Sequence, residues 1–248
     1  MARTLSSNWD GLADHLAASF YEVTKQGGVW VRVKDGVSVR AAVTEADMEL
    51  SLTWVGAFED SDTDSQFPTT AAALQSGYPQ HLIEAIGLGD TAIGEGAANV
   101  ARRFEGRTGI TKLNSTQVFN GMPPVKINAT LLFRAWADPK QEVKAPVDQL
   151  VSWSLPPKLS QDGSIIARIA KSGQSAVDAL MPSLAPIQIA MVYKGQVFSP
   201  LVIESIGLPL GSPTDVNGNY VQQLIPVTLA TLTAIDRDDW TNTKKFSL

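Results

Sequence analysis

Residues 187–236 read IQIAMVYKGQVFSPLVIESIGLPLGSPTDVNGNYVQQLIPVTLATLTAID. Three apolar or alternating runs in this stretch are separated by the dipeptide Lys194-Gly195 and by a loop, 211–219, that is rich in turn-forming residues. Gly195 suits a tight hairpin turn, because glycine adopts positive φ without a Cβ clash. The stretch therefore predicts an antiparallel meander of three strands, and no catalytic group stands out within it.

Composition narrows the possible functions. The chain has 248 residues, a formal charge of −5, no cysteine and two histidines. This length can bury a full core in one large or two small domains. Without cysteine, disulfides, thiol catalysis and cysteine-bound metals are excluded. The acidic balance argues against a surface that grips nucleic acid. No apolar run reaches 18 residues and no signal-peptide core is present, so we expect cytoplasmic synthesis and no membrane segment.

The N-terminal sequence suggests a helix followed by strands. Apolar residues recur at spacings of three and four between Asn8 and Val23, which predicts an amphipathic helix. A hairpin is expected next, with Asp35-Gly36 as its two-residue turn. From Met48 to Trp54 apolar and polar residues alternate, as in a strand with one buried face.

The segment from about 59 to 116 has a different character. It opens with the acidic residues Glu59, Asp60, Asp62 and Asp64 and becomes rich in Ala and Gly, with some helical spacing. Seven glycines from 77 to 109 predict short or interrupted helices. We expect a helical insertion with loops here, within one domain that spans 1–248.

Regular structure is predicted to resume at Lys126. Alternation from Ile127 to Trp136 is the longest strand signal in the chain. Asp138-Pro139 should end this strand and begin a helix, in which Pro146 implies a kink or two short pieces. The amphipathic pieces around 165–169 and 176–181 are assigned to a connector, and the fold class is mainly β, of the α+β type.

Residues that could carry catalysis are few. His15 and His81 are each isolated in sequence, and a solvent-facing or capping role is favoured over a ligand or a base. The glycines of 89–94 are spaced as in a phosphate loop, but Glu95 replaces the lysine that such a loop requires. Asp60, Asp62 and Asp64 begin like a calcium loop that lacks its glycine and its final glutamate. We therefore predict no enzyme, no metal and no cofactor.

Two weaker hypotheses stay open. The carboxylates on or beside strands (Glu45, Asp47, Glu49, Glu204) have the residue type needed for acid–base hydrolysis of glycosides, although such residues usually form the solvent-exposed face of a sheet. Tryptophans such as Trp54 and Trp136 would stack sugars if they were exposed on one face, although core packing is favoured for most of them.

The C-terminal half carries a resemblance to a known family. The segment VKINATLLFRAWADPKQEVKAPVDQLVSWSLPP, followed by the strand from Phe198 to Ile206 and the returning strand from Leu224 to Asp236, resembles the tail-tube initiator or tube-to-baseplate adaptor proteins of contractile-tailed bacteriophages. The resemblance covers residues 120–240. In the family, the strand matching Phe198–Ile206 begins with a proline and leads to a variable loop.

The resemblance implies a tail-tube fold, an antiparallel β-sandwich with flanking helices, assembled as a homo-hexameric ring around a lumen. A closed barrel between subunits would remove the edges of the long strands. The implied partners are the tail tube protein, other baseplate proteins and the sheath, with DNA only as cargo, in a virion assembled in the host cytoplasm. Six copies would carry roughly −30 in charge. The residues expected at the assembly interface are Leu131, Phe133, Phe198, Val202, Ile203, Leu229 and Leu232.

The alternative function is a carbohydrate- or peptidoglycan-binding module of a cell-surface or injection apparatus. This alternative requires exposed tryptophans on one face, so the positions of Trp54 and Trp136 distinguish it from a ring-forming structural protein.

Overall fold

The computed structural model of the 248-residue chain describes residues 3–55, 117–157, 159 and 183–243. The chain divides into two compact units, one formed by Met1–Ser51 with Met122–Leu248 and the other by Leu52–Gly121. The predicted insertion at 59–116, its acidic run and glycines, His81, and the pieces at 165–169 and 176–181 lie outside the described residues.

The described elements are mostly strands. The first unit contains eight of them, listed in chain order with their bounds: β1 Thr4–Ser6, β2 Ala17–Gln26, β3 Val29–Arg32, β4 Ser38–Glu49, β7 Lys126–Arg134, β8 Ile189–Tyr193, β9 Gln196–Ile206 and β10 Gln222–Thr231. In the second unit, β5 Thr53–Val55 pairs with β6 Val118–Gly121. A π-helical turn, Lys140–Lys144, leads into helix α1, Ala145–Ser154, and helix α2 spans Arg237–Thr243.

The eight strands of the first unit form one mixed sheet in the order β1-β4-β7-β10-β9-β8-β2-β3. Because β2 also pairs with β4, six of the strands (β4, β7, β10, β9, β8, β2) close into a ring of antiparallel pairings. Among the strands that the structure describes, only β1 pairs in parallel, with β4. The mainly β, α+β class is confirmed, but the predicted two-sheet sandwich is replaced by a single sheet that closes on itself.

The predicted C-terminal meander is confirmed. β8, β9 and β10 pair in sequence, and Lys194 and Gly195 turn between β8 and β9 with φ of 51° and 73°. Two successive positive φ angles are what a two-residue hairpin turn of matching twist requires. The strand predicted from Ile127 is also confirmed, as β7.

The predicted helix at Asn8–Val23 is wrong. A short 3-10 turn, Asp14–Leu16, precedes β2, and the helical spacing is incidental because Leu16 is exposed. β2 pairs with β4 on one side and with β8 on the other, so the sheet satisfies its backbone groups. This tertiary pairing overrides the local pattern.

The predicted hairpin at Asp35-Gly36 is also wrong. β3 and β4, on either side of this dipeptide, both pair with the same strand, β2, and not with each other. β3 and β4 therefore follow one another along the same edge of β2, and the turn at Asp35, with φ 57°, is a local interruption between them. The hairpin turn lies instead at Gly27-Gly28, between β2 and β3.

The core lies between the barrel strands and α1. Phe20, Phe133 and Leu131 from the strands are fully buried in one cluster with Leu150 and Trp153 from the helix. α1 thus covers apolar side chains that the sheet alone would leave in water. Pro146, expected to kink a helix or split it, lies in the first turn of α1, directly after the π-helical turn.

Candidate assembly surface

Four strands present a polar outer face. Along β4, β7, β10 and β9, alternate side chains point away from the core, and the register aligns them in rows across the sheet. One row contains Asp47, Asn128, Thr228 and Ser205 as successive partners. We call the surface formed by these rows the outer face.

Hydrogen bonds join this row across the strands. The amide of Asn128 donates to Asp47 over 3.1 Å, and the hydroxyl of Thr228 donates to the Asn128 oxygen over 3.1 Å. Asn128 is therefore oriented by both of its neighbours. A shallow groove of about 460 Å³ lies over the row, lined by these residues and by Glu45, Thr130, Gly207 and Pro226 among others.

Carboxylates dominate the charge of the outer face. Glu45, Asp47 and Glu49 are exposed on β4, and Glu204 is exposed on β9. Lys126 forms a 2.8 Å ion pair with Glu204. The hydrogen bond and charge of Glu204, with a smaller effect of Glu49, raise the pKa of Lys126. The ammonium group of Lys126 is thus already paired within its own sheet.

Two further cations lie at the far end of the outer face, Arg134 on β7 and Arg40 on β4, and Arg40 is paired with Asp14 over 2.7 Å. Arg134, the last residue of β7, places its guanidinium 4.7 Å from the ring centre of Trp136. Between these two ends the face carries only carboxylates and neutral groups among the described residues of the four strands. The four carboxylates that the sequence marked as possible acid–base groups therefore share this surface.

The sheet of four strands extends beyond the closed barrel. β2 pairs with β4 only as far as Ala42, and β8 pairs with β9 only as far as Leu201. Residues 43–49 of β4 and 202–206 of β9 therefore have a paired side toward β7 and β10, and no strand of the described residues pairs with their other side. We call these two sides the free edges.

The seven predicted interface residues have different environments. Leu131, Phe133, Ile203 and Leu229 are buried in the core cluster of their own chain, with Ile203 the most exposed at 9%. Phe198 is half-buried against that cluster. Val202 is partly exposed at a free edge, and Leu232 is 40% exposed just beyond β10. Within the single chain, Phe198, Val202 and Leu232 offer some exposed apolar area. The interface role of all seven residues stays a prediction.

Other candidate groups are dispersed. His15 is exposed in the 3-10 turn. Within residues 3–55, 117–157, 159 and 183–243, no three His, Cys, Asp or Glu side chains are grouped so as to hold a metal. No helix in these ranges is long and apolar enough to cross a membrane.

Sequence reasoning identified the carboxylates but missed the free edges. The alternation of Lys126, Asn128 and Thr130 along β7 does indicate a polar face. The free edges depend on where β2 and β8 stop pairing, and no local pattern encodes that point. Comparison with protein family models gives no match, and comparison with curated proteins gives no match either.

Proposed function

We propose that the protein is a structural virion protein, which forms a homo-hexameric ring in the tail tube or baseplate of a contractile phage tail. Its ring would join the tail tube protein, other baseplate proteins and the sheath, and let DNA pass. The observation that supports this proposal most strongly is the pair of free edges on one four-stranded sheet.

The strands at the two free edges have the relative direction that antiparallel pairing between copies requires. Each neighbouring pair among β4, β7, β10 and β9 is antiparallel, so β4 and β9 run in opposite directions. When copies are related by rotation about a ring axis, β9 of one copy would meet β4 of the next in antiparallel pairing. If its rotation closes, this heterologous contact forms a ring in which both free edges are paired.

Simple geometry is consistent with six copies. Four strands from each of six copies, at about 4.8 Å per strand, give a backbone circumference of about 115 Å and a diameter of about 37 Å before strand tilt widens it. After the inward side chains are added, double-stranded DNA still fits. Three copies would give about half this diameter, which side chains would largely fill.

The polarity of the outer face suits such a lumen. In the barrel formed between copies, this face would point toward the lumen, because α1 and the core of each chain cover the opposite face of the sheet. Carboxylates, amides and hydroxyls without unpaired lysines would repel DNA phosphates and give the DNA nothing to bind.

The exposed tryptophans are each engaged by a neighbour within their own unit, which weakens the glycan-binding alternative. Trp54 and Trp136 are 51% and 61% exposed. Trp54 packs edge-on against Phe119, with ring centres 5.3 Å apart, and Trp136 stacks with Arg134. Glycan binding that is lost in Trp54→Ala or Trp136→Ala would support the alternative.

Electron microscopy of the purified protein tests the ring. At about 1 M NaCl we expect six-fold rings with a central hole, and monomers at high protein concentration in that salt would overturn the proposal.

Two single proline variants test the edge. Along β4, backbone N–H groups alternate between β7 and the free edge. Of Ala46→Pro and Asp47→Pro, one therefore removes an N–H used within the chain and should lower thermal stability. The other should keep wild-type stability and lose ring formation. If both variants form rings, β4 is not the contact.

A further inference from the structure

We infer that the carboxylates on β4 form an electrostatic gate, which keeps copies apart at low ionic strength and allows rings to close when cations screen it. This inference rests on the proposed function and concerns how assembly at the same edge is controlled.

The first support is the position of the acids. Glu45, Asp47 and Glu49 occupy alternate positions on the strand that has a free edge, and all three are exposed. Charged side chains on an edge strand oppose pairing with another chain. Ring closure would therefore bring these carboxylates beside the next copy.

The second support is what the next copy would present. The free edge of β9 carries Glu204 and Ser205 on the outer face, and no cation of the described residues lies on that edge. Directly opposed like charges in neighbouring strands are destabilising, with Cβ atoms about 5 Å apart. The contact between copies would thus bring three carboxylates beside the ion pair of Glu204 and Lys126, with one cation for four acids.

The third support is that the nearby cation is already engaged. Lys126 is paired with Glu204 of its own chain at 2.8 Å, and it is the register partner of Glu49 in its own sheet. It can offset part of the repulsion but cannot neutralise three carboxylates from the adjacent copy. Mobile cations would have to supply the remaining screening.

The experiment compares assembly at two ionic strengths in NaCl. At about 0.01 M the screening length is about 30 Å, and at about 1 M it is about 3 Å. For the wild-type chain we expect mainly monomers at the lower salt and rings at the higher salt, seen by sedimentation velocity. The variant Glu45→Gln/Asp47→Asn/Glu49→Gln should form rings at both, with the half-assembly concentration at low salt reduced by roughly tenfold or more.

A matched control removes three exposed carboxylates elsewhere. The variant Asp10→Asn/Asp148→Asn/Asp238→Asn has the same net charge as the test variant, and none of the three positions lies on the outer face. It should keep the salt dependence of the wild type. A control that forms rings at low salt would show that total charge matters and would overturn the gate.

The remaining outcomes also decide the matter. Wild-type rings at about 0.01 M NaCl, or a test variant that still needs salt, would refute the gate while leaving the ring intact. If no variant forms rings at either ionic strength, the proposed function itself fails and the gate falls with it.

Discussion

At the scale of single residues, one carboxylate ties the N-terminal segment to the helical layer. Glu142 accepts hydrogen bonds from the backbone N–H groups of Trp136, Ala137 and Asp138 over 2.9 to 3.0 Å, and from Asn8 over 3.4 Å. Burial raises the pKa of this carboxyl, but the four N–H groups together hold it below its ordinary value.

The stabilisation by Glu142 should depend on pH. Because its folded-state pKa is lowered, the contribution is fully present above the unfolded value of about 4.3 and is lost as the pH falls through the folded pKa. We expect Glu142→Gln to melt a few degrees below the wild type at about pH 7, with the difference shrinking toward about pH 3.

The control for this prediction is Glu45→Gln. It removes an exposed carboxylate from β4 and should leave the melting temperature of the monomer at about pH 7 nearly unchanged. A constant difference between Glu142→Gln and the wild type across the pH range would contradict the role of the ionised carboxylate.

Gly207 is required by a close approach between β9 and β10. Its N–H donates to the carbonyl of Pro226 over 2.8 Å, and an added Cβ would lie 2.7 Å from Pro226 Cγ. The proline ring is closed on its own backbone and cannot rotate away from the added Cβ. Gly207→Ala should therefore destabilise the chain by about 1–3 kcal/mol, as measured by urea unfolding. Gly211→Ala is the control, since nothing lies within 4 Å of its Cβ position. Equal stability of the two variants would rule out the steric explanation.

At the scale of elements, the sequence correctly predicts the strands and turns that depend on a local pattern of residues. The meander β8–β10 follows from alternation and from a turn dipeptide, and both are local. β2 was predicted as a helix because apolar residues recur at Leu12, Leu16 and Phe20, yet pairing with β4 and β8 decided its conformation. Similarly, the turn at Asp35 exists, but its hairpin partner could not be known before β2 was placed.

The candidate assembly surface is likewise part local pattern and part tertiary pairing. Alternation along β7 indicates a polar face, whereas the free edges arise from where distant strands stop pairing. This matters for a variant such as Ile203→Asp, because Ile203 is expected from the sequence to lie at the assembly interface. Ile203 packs in the core of its own chain, so a loss of assembly in that variant would report unfolding. Substitutions at exposed positions on β4 separate the two effects.

At the scale of the whole molecule, the charge of the outer face is predicted to determine whether the ring lets DNA slide or holds it. In the proposed ring, Glu45, Asp47 and Glu49 of every copy face the lumen, and each face repels phosphate. The variant Glu45→Lys/Asp47→Lys/Glu49→Lys reverses this field without altering a buried residue. Its lysines would also lie near Glu204 of the next copy, so rings should form even at low salt.

At one NaCl concentration at which all the compared chains form rings, we expect wild-type rings to show no binding of double-stranded DNA in a mobility-shift assay, whereas rings of the lysine variant should bind it. That binding should weaken steeply as NaCl rises, because each neutralised phosphate releases counterions. An equal gain of charge outside the lumen, in Asp10→Lys/Asp148→Lys/Asp238→Lys, is the control, since it tests whether net charge alone confers binding. If the control binds linear DNA as tightly as the lumen variant does, the outer face does not line the passage. If wild-type rings bind DNA, that face does not act as a repelling surface.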